Sequence, residues 1–181
     1  MGRALARLHR VSQGTRCGWA RDNFIGRAPQ VNGWDDDWAA FFRDRRLRPQ
    51  FERAARHGLR DADALLDAVP RLLRGHAPPH SLLHGDLWSG NAAMLANGEP
   101  AIFDPAVYCG DREADIAMTH LFGGFDASFY LGYEDEWPLP AGHEARRDLY
   151  NLYHVVNHLN LFGGSYRAQA QAIISRLLRV S

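Results

Sequence analysis

The sequence predicts a mainly α chain of the α+β kind, one domain over residues 1–181 holding a small β-hairpin. Three observations carry that expectation. Apolar residues recur at helical spacing through most of the chain. The strongest hairpin signal is Asn97-Gly98, and the strand patterns cluster around residues 81–104. Hydrophobic residues make up 46% of the chain, which suits a packed fold rather than a disordered one.

Taken in order, residues 3–10 read as a short amphipathic helix with Leu5 and Leu8 inward. It starts almost at Met1, with no capping segment before it, a pattern that suits the middle of a longer fold. Residues 11–33 are rich in glycine and read as loop. Asp35, Asp36 and Asp37 stand before an apolar run, where acidic side chains suit an N-cap and the positive end of a helix dipole. Trp34, Trp38, Phe41 and Phe42 form an aromatic stripe expected in the core. The basic run Arg43–Arg48 reads as a solvated helix face rather than a phosphate patch.

Helical patterns continue over 50–57 and 61–74, and Pro78-Pro79 ends them. A strand is expected at 81–83, then helices at 112–122, 127–133, 143–162 and 166–178. Gly123-Gly124 and Gly163-Gly164 end helical patterns and read as caps and turns. With Asn97-Gly98 as a two-residue type I′ turn, Ala96 faces Glu99, Ala92 faces Phe103 and Asn91 faces Asp104. Side chains so opposed have Cβ atoms about 5 Å apart, close enough to share a cation.

Residues 82–91 read LLHGDLWSGN. A carboxylate at Asp86 is followed five positions later by the carboxamide of Asn91, and Asp104 lies across the expected hairpin. Mg²⁺ prefers oxygen ligands, commonly one or two carboxylates plus substrate phosphates. Asn91 and Asp104 can supply the protein's share, and Asp86 can take the proton of an acceptor hydroxyl. That division of labour, an Asp base followed at this spacing by a metal-binding Asn, is the one found in kinases.

HGDLWSGN followed by FDPAVYCGDREADIAM and LFGGF resembles the fructosamine kinase (ketosamine-3-kinase) family, relatives of the aminoglycoside phosphotransferases and choline kinases. Residues 23–50 and the stretch LYNLYHVVNHLNLFGGSYR resemble its helical lobe. The resemblance implies the C-terminal helical lobe of a protein-kinase-like fold. It also implies phosphorylation of a ketosamine sugar hydroxyl with ATP and Mg²⁺, a deglycation step on a small-molecule or protein-bound substrate. Asp86 would be the catalytic base, and Asn91 and Asp104 the metal ligands. A member of that family is expected to carry an N-terminal lobe of about a hundred residues with an ion-paired lysine. This chain has no lysine, all 21 of its basic residues being arginine, and reads as the C-terminal lobe of a truncated member, with the nucleotide-binding lobe absent. Arginine does not replace lysine conservatively at such a site. An uncovered lobe-docking surface is then expected to favour self-association.

Within this reading His84 braces the catalytic loop, and Asp115 either accepts its backbone N–H groups or only complements a helix dipole. Trp88 either stacks on the substrate sugar or anchors the core. Asp111 reads as an N-cap. His154 and His158 have i, i+4 spacing, but no Glu follows the first, so a zinc-protease helix is excluded. They lie off the stripe formed by Leu149, Leu152, Val156 and Leu159, and a polar-face or structural role is expected for both. Cys17 and Cys109 show neither disulfide-framework nor metal spacing and are expected as free thiols. Zero net charge argues against nucleic acid or an anionic membrane as partner, and the expected location is cytoplasmic.

Two other classes are compatible with the residues alone. One is a non-catalytic module that binds a ligand or partner, and the other an aminoglycoside- or choline-type kinase. Metal-dependent hydrolysis through His84, Asp86 and Asp104 fits less well, because it leaves the Asn91 spacing unused.

Overall fold

A computed structural model describes residues 1–181. Helices dominate, as the apolar periodicity predicts. They are α1 (Gly2–Val11), α2 (Trp38–Phe41), α3 (Arg48–Ala54), α4 (Ala62–Leu72), α5 (Glu113–Leu121), α6 (Ala127–Glu136), α7 (His143–Phe162) and α8 (Ser165–Val180). The α2 and α3 segments are joined by a π-helical stretch, Phe42–Leu47, so one continuous helical path enters the core. The side chain of Asp37 accepts the Ala40 N–H at 2.9 Å, which fixes where this path begins. No helix is long and apolar enough to cross a membrane.

The β content exceeds the expectation. Residues 11–33, read as loop, supply β1 (Cys17–Trp19), β2 (Asn23–Ile25) and β3 (Ala28–Gln30), and β4 (Gly33–Asp35) follows directly. These strands have only three residues each, too short for the two-residue alternation to show against the glycines around them. β1 and β4 join β5 (His80–Leu83) and β8 (Tyr108–Asp111) in an antiparallel sheet of order β4-β1-β8-β5. In that sheet Leu83 pairs with Tyr108 and His80 with Asp111.

Trp38, Phe41 and Phe42 are buried as expected, but Trp34 lies on β4 and is half exposed. The basic run is likewise split. Arg43 and Arg48 pair with Asp44 at the surface. Arg46 is fully buried, its guanidinium 3.9 Å from the Tyr108 ring centroid and bonded to the Val31 carbonyl and Asn32 Oδ1. The π-helical turn alters the angular spacing of the arginines and carries one of them inward, where the ring face and carbonyl oxygens replace water.

The predicted hairpin is present as β6 (Ala92–Met94) and β7 (Pro100–Ile102), with a register one residue from the expected one. Ala92 faces Ile102, not Phe103. The turn is the reason. Leu95 and Glu99 close a three-residue loop through Leu95 N–H to the Glu99 carbonyl and Gly98 N–H to the Leu95 carbonyl. Gly98 alone takes a left-handed φ of +83°, whereas a type I′ turn would place Asn97 there as well. A one-residue slip turns each side chain to the opposite face of its strand. Asn91 is therefore bonded to Phe103, whose N–H reaches the Asn91 carbonyl at 3.1 Å, and Asp104 stands one position beyond.

α7 is the central helix. Residues 149–157 are buried without interruption, His154 among them, so of the two expected roles the polar-face one fails for His154 and the structural one stands. A helix covered on nearly every side has no polar stripe. Its neighbours are α5, α8 and α3. A second, smaller core lies between α1, α5 and α6, built from Leu5, Ala6, Ile116, Phe129 and Tyr133 together with Leu87 of the site loop.

Candidate active site

The loop from His84 to Asn91 leaves the end of β5 and runs toward the hairpin. Its first turn is possible only because residue 85 is glycine. Gly85 has φ +78°, and a Cβ there would meet the Ala106 carbonyl oxygen at 2.1 Å. The turn is held by Asp115 on α5. Its Oδ2 accepts the His84 N–H at 2.7 Å and its Oδ1 accepts the Gly85 N–H at 2.8 Å. His9 of α1 approaches Oδ2 through Nε2 at 3.2 Å. Burial alone would raise the Asp115 carboxyl. The His9 bond and charge, the His84 ring and the Gly85 N–H outweigh it and hold the group below the ordinary carboxylate range. Asp115 therefore does more than complement a helix dipole.

His84 ties the loop to the far strand. Its Nε2 contacts the Phe103 carbonyl at 2.8 Å, and its Nδ1 faces the Asp86 N–H at 3.3 Å. A carbonyl can only accept and an N–H can only donate, so these partners place the ring proton on Nε2.

Asp86 makes no side-chain hydrogen bond within the chain, although only 17% of its side chain is exposed. Burial pushes its carboxyl above the ordinary range, and Asp115 adds to the effect. The His158 and His84 rings oppose it. A carboxylate that is partly desolvated and unengaged has the character of a proton acceptor.

Asn91 is buried at the end of the short 3₁₀ turn Ser89–Asn91. Its Nδ2 donates to the Asp86 carbonyl at 2.9 Å. The amide is thereby oriented with Oδ1 free, the atom a hard cation would take. Asp104 is exposed and holds a left-handed φ of +52°, a conformation uncommon outside glycine. The Asn91 amide oxygen and the Asp104 carboxylate are oxygen ligands of the type Mg²⁺ prefers, and Asp104 follows Phe103, the residue bonded to Asn91.

Trp88 is two-fifths exposed and is no core anchor. Its ring stands edge-on to Phe122, centroids 6.4 Å apart, and Phe122 continues to His158 at 4.9 Å. These half-exposed rings make an aromatic wall. A neighbouring hollow of about 380 Å³ is lined by Ser89, Ala92, Met94, Gly124, Phe125 and Asp126, among others.

Asp111 does accept a helix-start N–H, that of Glu113 at 3.0 Å, but its other oxygen is engaged by Tyr150 Oη at 2.5 Å and His76 Nε2 at 2.7 Å. Glu113 accepts from Nε and Nη2 of Arg146, each at 2.7 Å. This group cements β8 to α7, away from the Asp86 loop. Cys17 is a free, buried thiol pushed up to about 12 chiefly by burial, and Cys109 is free and also raised. Neither has the character of a nucleophile.

The sequence profile of the fructosamine kinase family matches residues 1–180. The chain belongs to the fructosamine kinase family. Among its relatives is a protein of Synechocystis named "Probable ketoamine kinase", 49% identical over 182 residues that cover 99% of this chain and 62% of the relative. The chloroplastic protein-ribulosamine 3-kinase of Arabidopsis thaliana is 44% identical over 188 residues, covering 99% of this chain and 57% of that protein. A crystal structure assigned as a fructosamine-3-kinase, from Haemophilus somnus 129PT, superposes with a TM-score of 0.89 at 32% identity over 96% of this chain and 60% of that one. The fold is thus the protein-kinase-like one, and the chain spans less than two thirds of the length of these relatives.

One residue of the site, His9, was not singled out from the sequence, and His154 was singled out by its spacing with His158 but not as a partner of Asp86. His9 lies in a helix whose charged faces gave no hint of its inward turn. His154 had a usable signal, because residues 149–162 contain no charged side chain, as expected of a helix buried all round.

Proposed function

We propose that residues 1–181 form the acceptor and metal half of an ATP-dependent ketosamine kinase acting in deglycation, with the nucleotide clamp supplied by a second lobe of the family. The observation that carries this reading is the loop itself. Asp115 and His84 hold a free, partly desolvated Asp86 carboxylate, and the same loop turns the Asn91 amide so that its oxygen is open.

In this reading the acceptor hydroxyl of the sugar lies against Asp86, which takes its proton as the oxygen attacks the γ-phosphorus of ATP. Asn91 Oδ1 and the Asp104 carboxylate would hold Mg²⁺, which would supply charge neutralisation at the phosphates. Trp88 offers a ring face to the ketosamine, small or protein-bound. Met94, Leu95, Ile102 and Phe103 leave exposed apolar side chains on the hairpin, and that is where the second lobe would dock. Left uncovered, the same side chains favour self-association. The family lysine that would pair with the phosphates has no counterpart among these residues.

Asp104→Ala is expected to lower Mg²⁺-dependent ATP affinity at least tenfold in an enzyme built from residues 1–181 and the remaining lobe of a relative, with ketosamine affinity little changed. Calorimetric titration of ATP with and without Mg²⁺ reads this. Unchanged Mg-ATP affinity would remove Asp104 from the metal site.

A further inference from the structure

We propose that His154 is a positioning residue for Asp86, its Nδ1–H directed at the carboxylate and fixing the orientation in which that group meets the acceptor hydroxyl. The inference rests on the reading of Asp86 as the base.

His154 projects from α7, the helix with no charged residue at positions 149–162, and is 96% buried by its 4% exposure. Its Nδ1 is buried without a hydrogen-bond partner. A buried polar atom left unpaired forfeits its hydration without replacement, so a ring nitrogen in that state calls for an explanation. That same atom stands 4.0 Å from Oδ1 of Asp86. The separation exceeds a hydrogen bond, which needs roughly 2.7–3.2 Å. A shift of about an ångström by either side chain closes it, and catalytic hydrogen bonds commonly tighten when substrate binds.

The chemistry of the pair sets the direction of the bond. An ionised carboxylate only accepts, so a lone pair on Nδ1 would face other lone pairs, whereas Nδ1–H is complementary. The ring is neutral: burial pushes it down to about 3, with His158 and Arg46 acting the same way and Asp115 against them. It can orient Asp86 without contributing a full charge. The helix is fixed at this point, since His158 Nδ1 contacts the His154 carbonyl at 2.8 Å. No side chain bonds the Asp86 carboxylate, and His154 is the donor placed to restrict it.

Long-range ¹H–¹⁵N spectra of the histidine side chains in residues 1–181 read the tautomer directly. The Nδ1–H tautomer is expected for His154, and the Nε2–H tautomer would overturn the proposal. That result does not depend on catalysis. In the two-lobed enzyme, His154→Asn places an amide at the Nδ1 position and should retain kcat within about threefold. His154→Leu keeps the volume and loses the donor, and should lower kcat by up to about 100-fold with KM unchanged. Equal losses in Asn and Leu would indicate packing alone, and a change confined to KM would indicate substrate contact; either overturns the role. A parent enzyme that transfers no phosphate would instead defeat the kinase reading, with the tautomer still deciding which way Nδ1 faces.

Discussion

Asp86→Asn is expected to lower kcat for ketosamine phosphorylation by about 10²–10⁴-fold while leaving the chain folded and, near neutral pH, more stable than the parent. The loss of rate follows from removing a proton acceptor while keeping its shape. The gain in stability follows from burial, which raises the Asp86 carboxyl in the folded state. A folded state that binds the proton more readily than the unfolded chain loses stability as pH rises from the ordinary carboxylate pKa through the raised folded value. The deficit persists above that value. Asn carries no charge and no such deficit. Thermal unfolding of both proteins should show Asn ahead at neutral pH and the gap narrowing toward the ordinary Asp value of about 3.9. An Asn variant less stable than the parent at neutral pH would show that the carboxylate is engaged in a favourable contact.

Asp115→Ala is expected to destabilise the chain by roughly 3–5 kcal/mol, a large part of a typical domain's stability. The change removes the acceptor for two buried backbone N–H groups, those of His84 and Gly85, and the partner of His9. Each orphaned donor costs about 1–3 kcal/mol. Because the Asp115 carboxyl is held low, its contribution is fully present above the ordinary carboxylate pKa and is lost as pH falls through the depressed folded value. Urea unfolding at neutral pH reads the effect. Destabilisation below about 1 kcal/mol would show that the loop is held by something else. Asp115→Asn, which keeps one carbonyl oxygen, should be milder.

The long helices were legible because their apolar residues repeat over several turns. The expected bounds of α7, residues 143–162, coincide with the observed ones. The spacing of Asp86, Asn91 and Asp104 points to one loop and hairpin, and the chain carries them there, with Asp104 one position beyond the residue that faces Asn91. What escaped was decided by contacts distant in sequence. The three-residue strands of 17–35 acquire their identity only by pairing, β1 with β4 and β8. The hairpin register turned on whether Asn97 or only Gly98 is left-handed, a choice that Asn-Gly allows either way. For His154 the sequence leaves a polar-face and a structural role open, because helical periodicity presumes that one side is wet, and α7 has none along its middle.

The most direct measurement is label transfer from γ-labelled ATP to a fructosamine-type amine by an enzyme joining residues 1–181 to the remaining lobe of a relative. The account predicts Mg²⁺-dependent label on a sugar hydroxyl, abolished by Asp86→Asn. No label in the parent, or label at parental rates in the Asn variant, would contradict it.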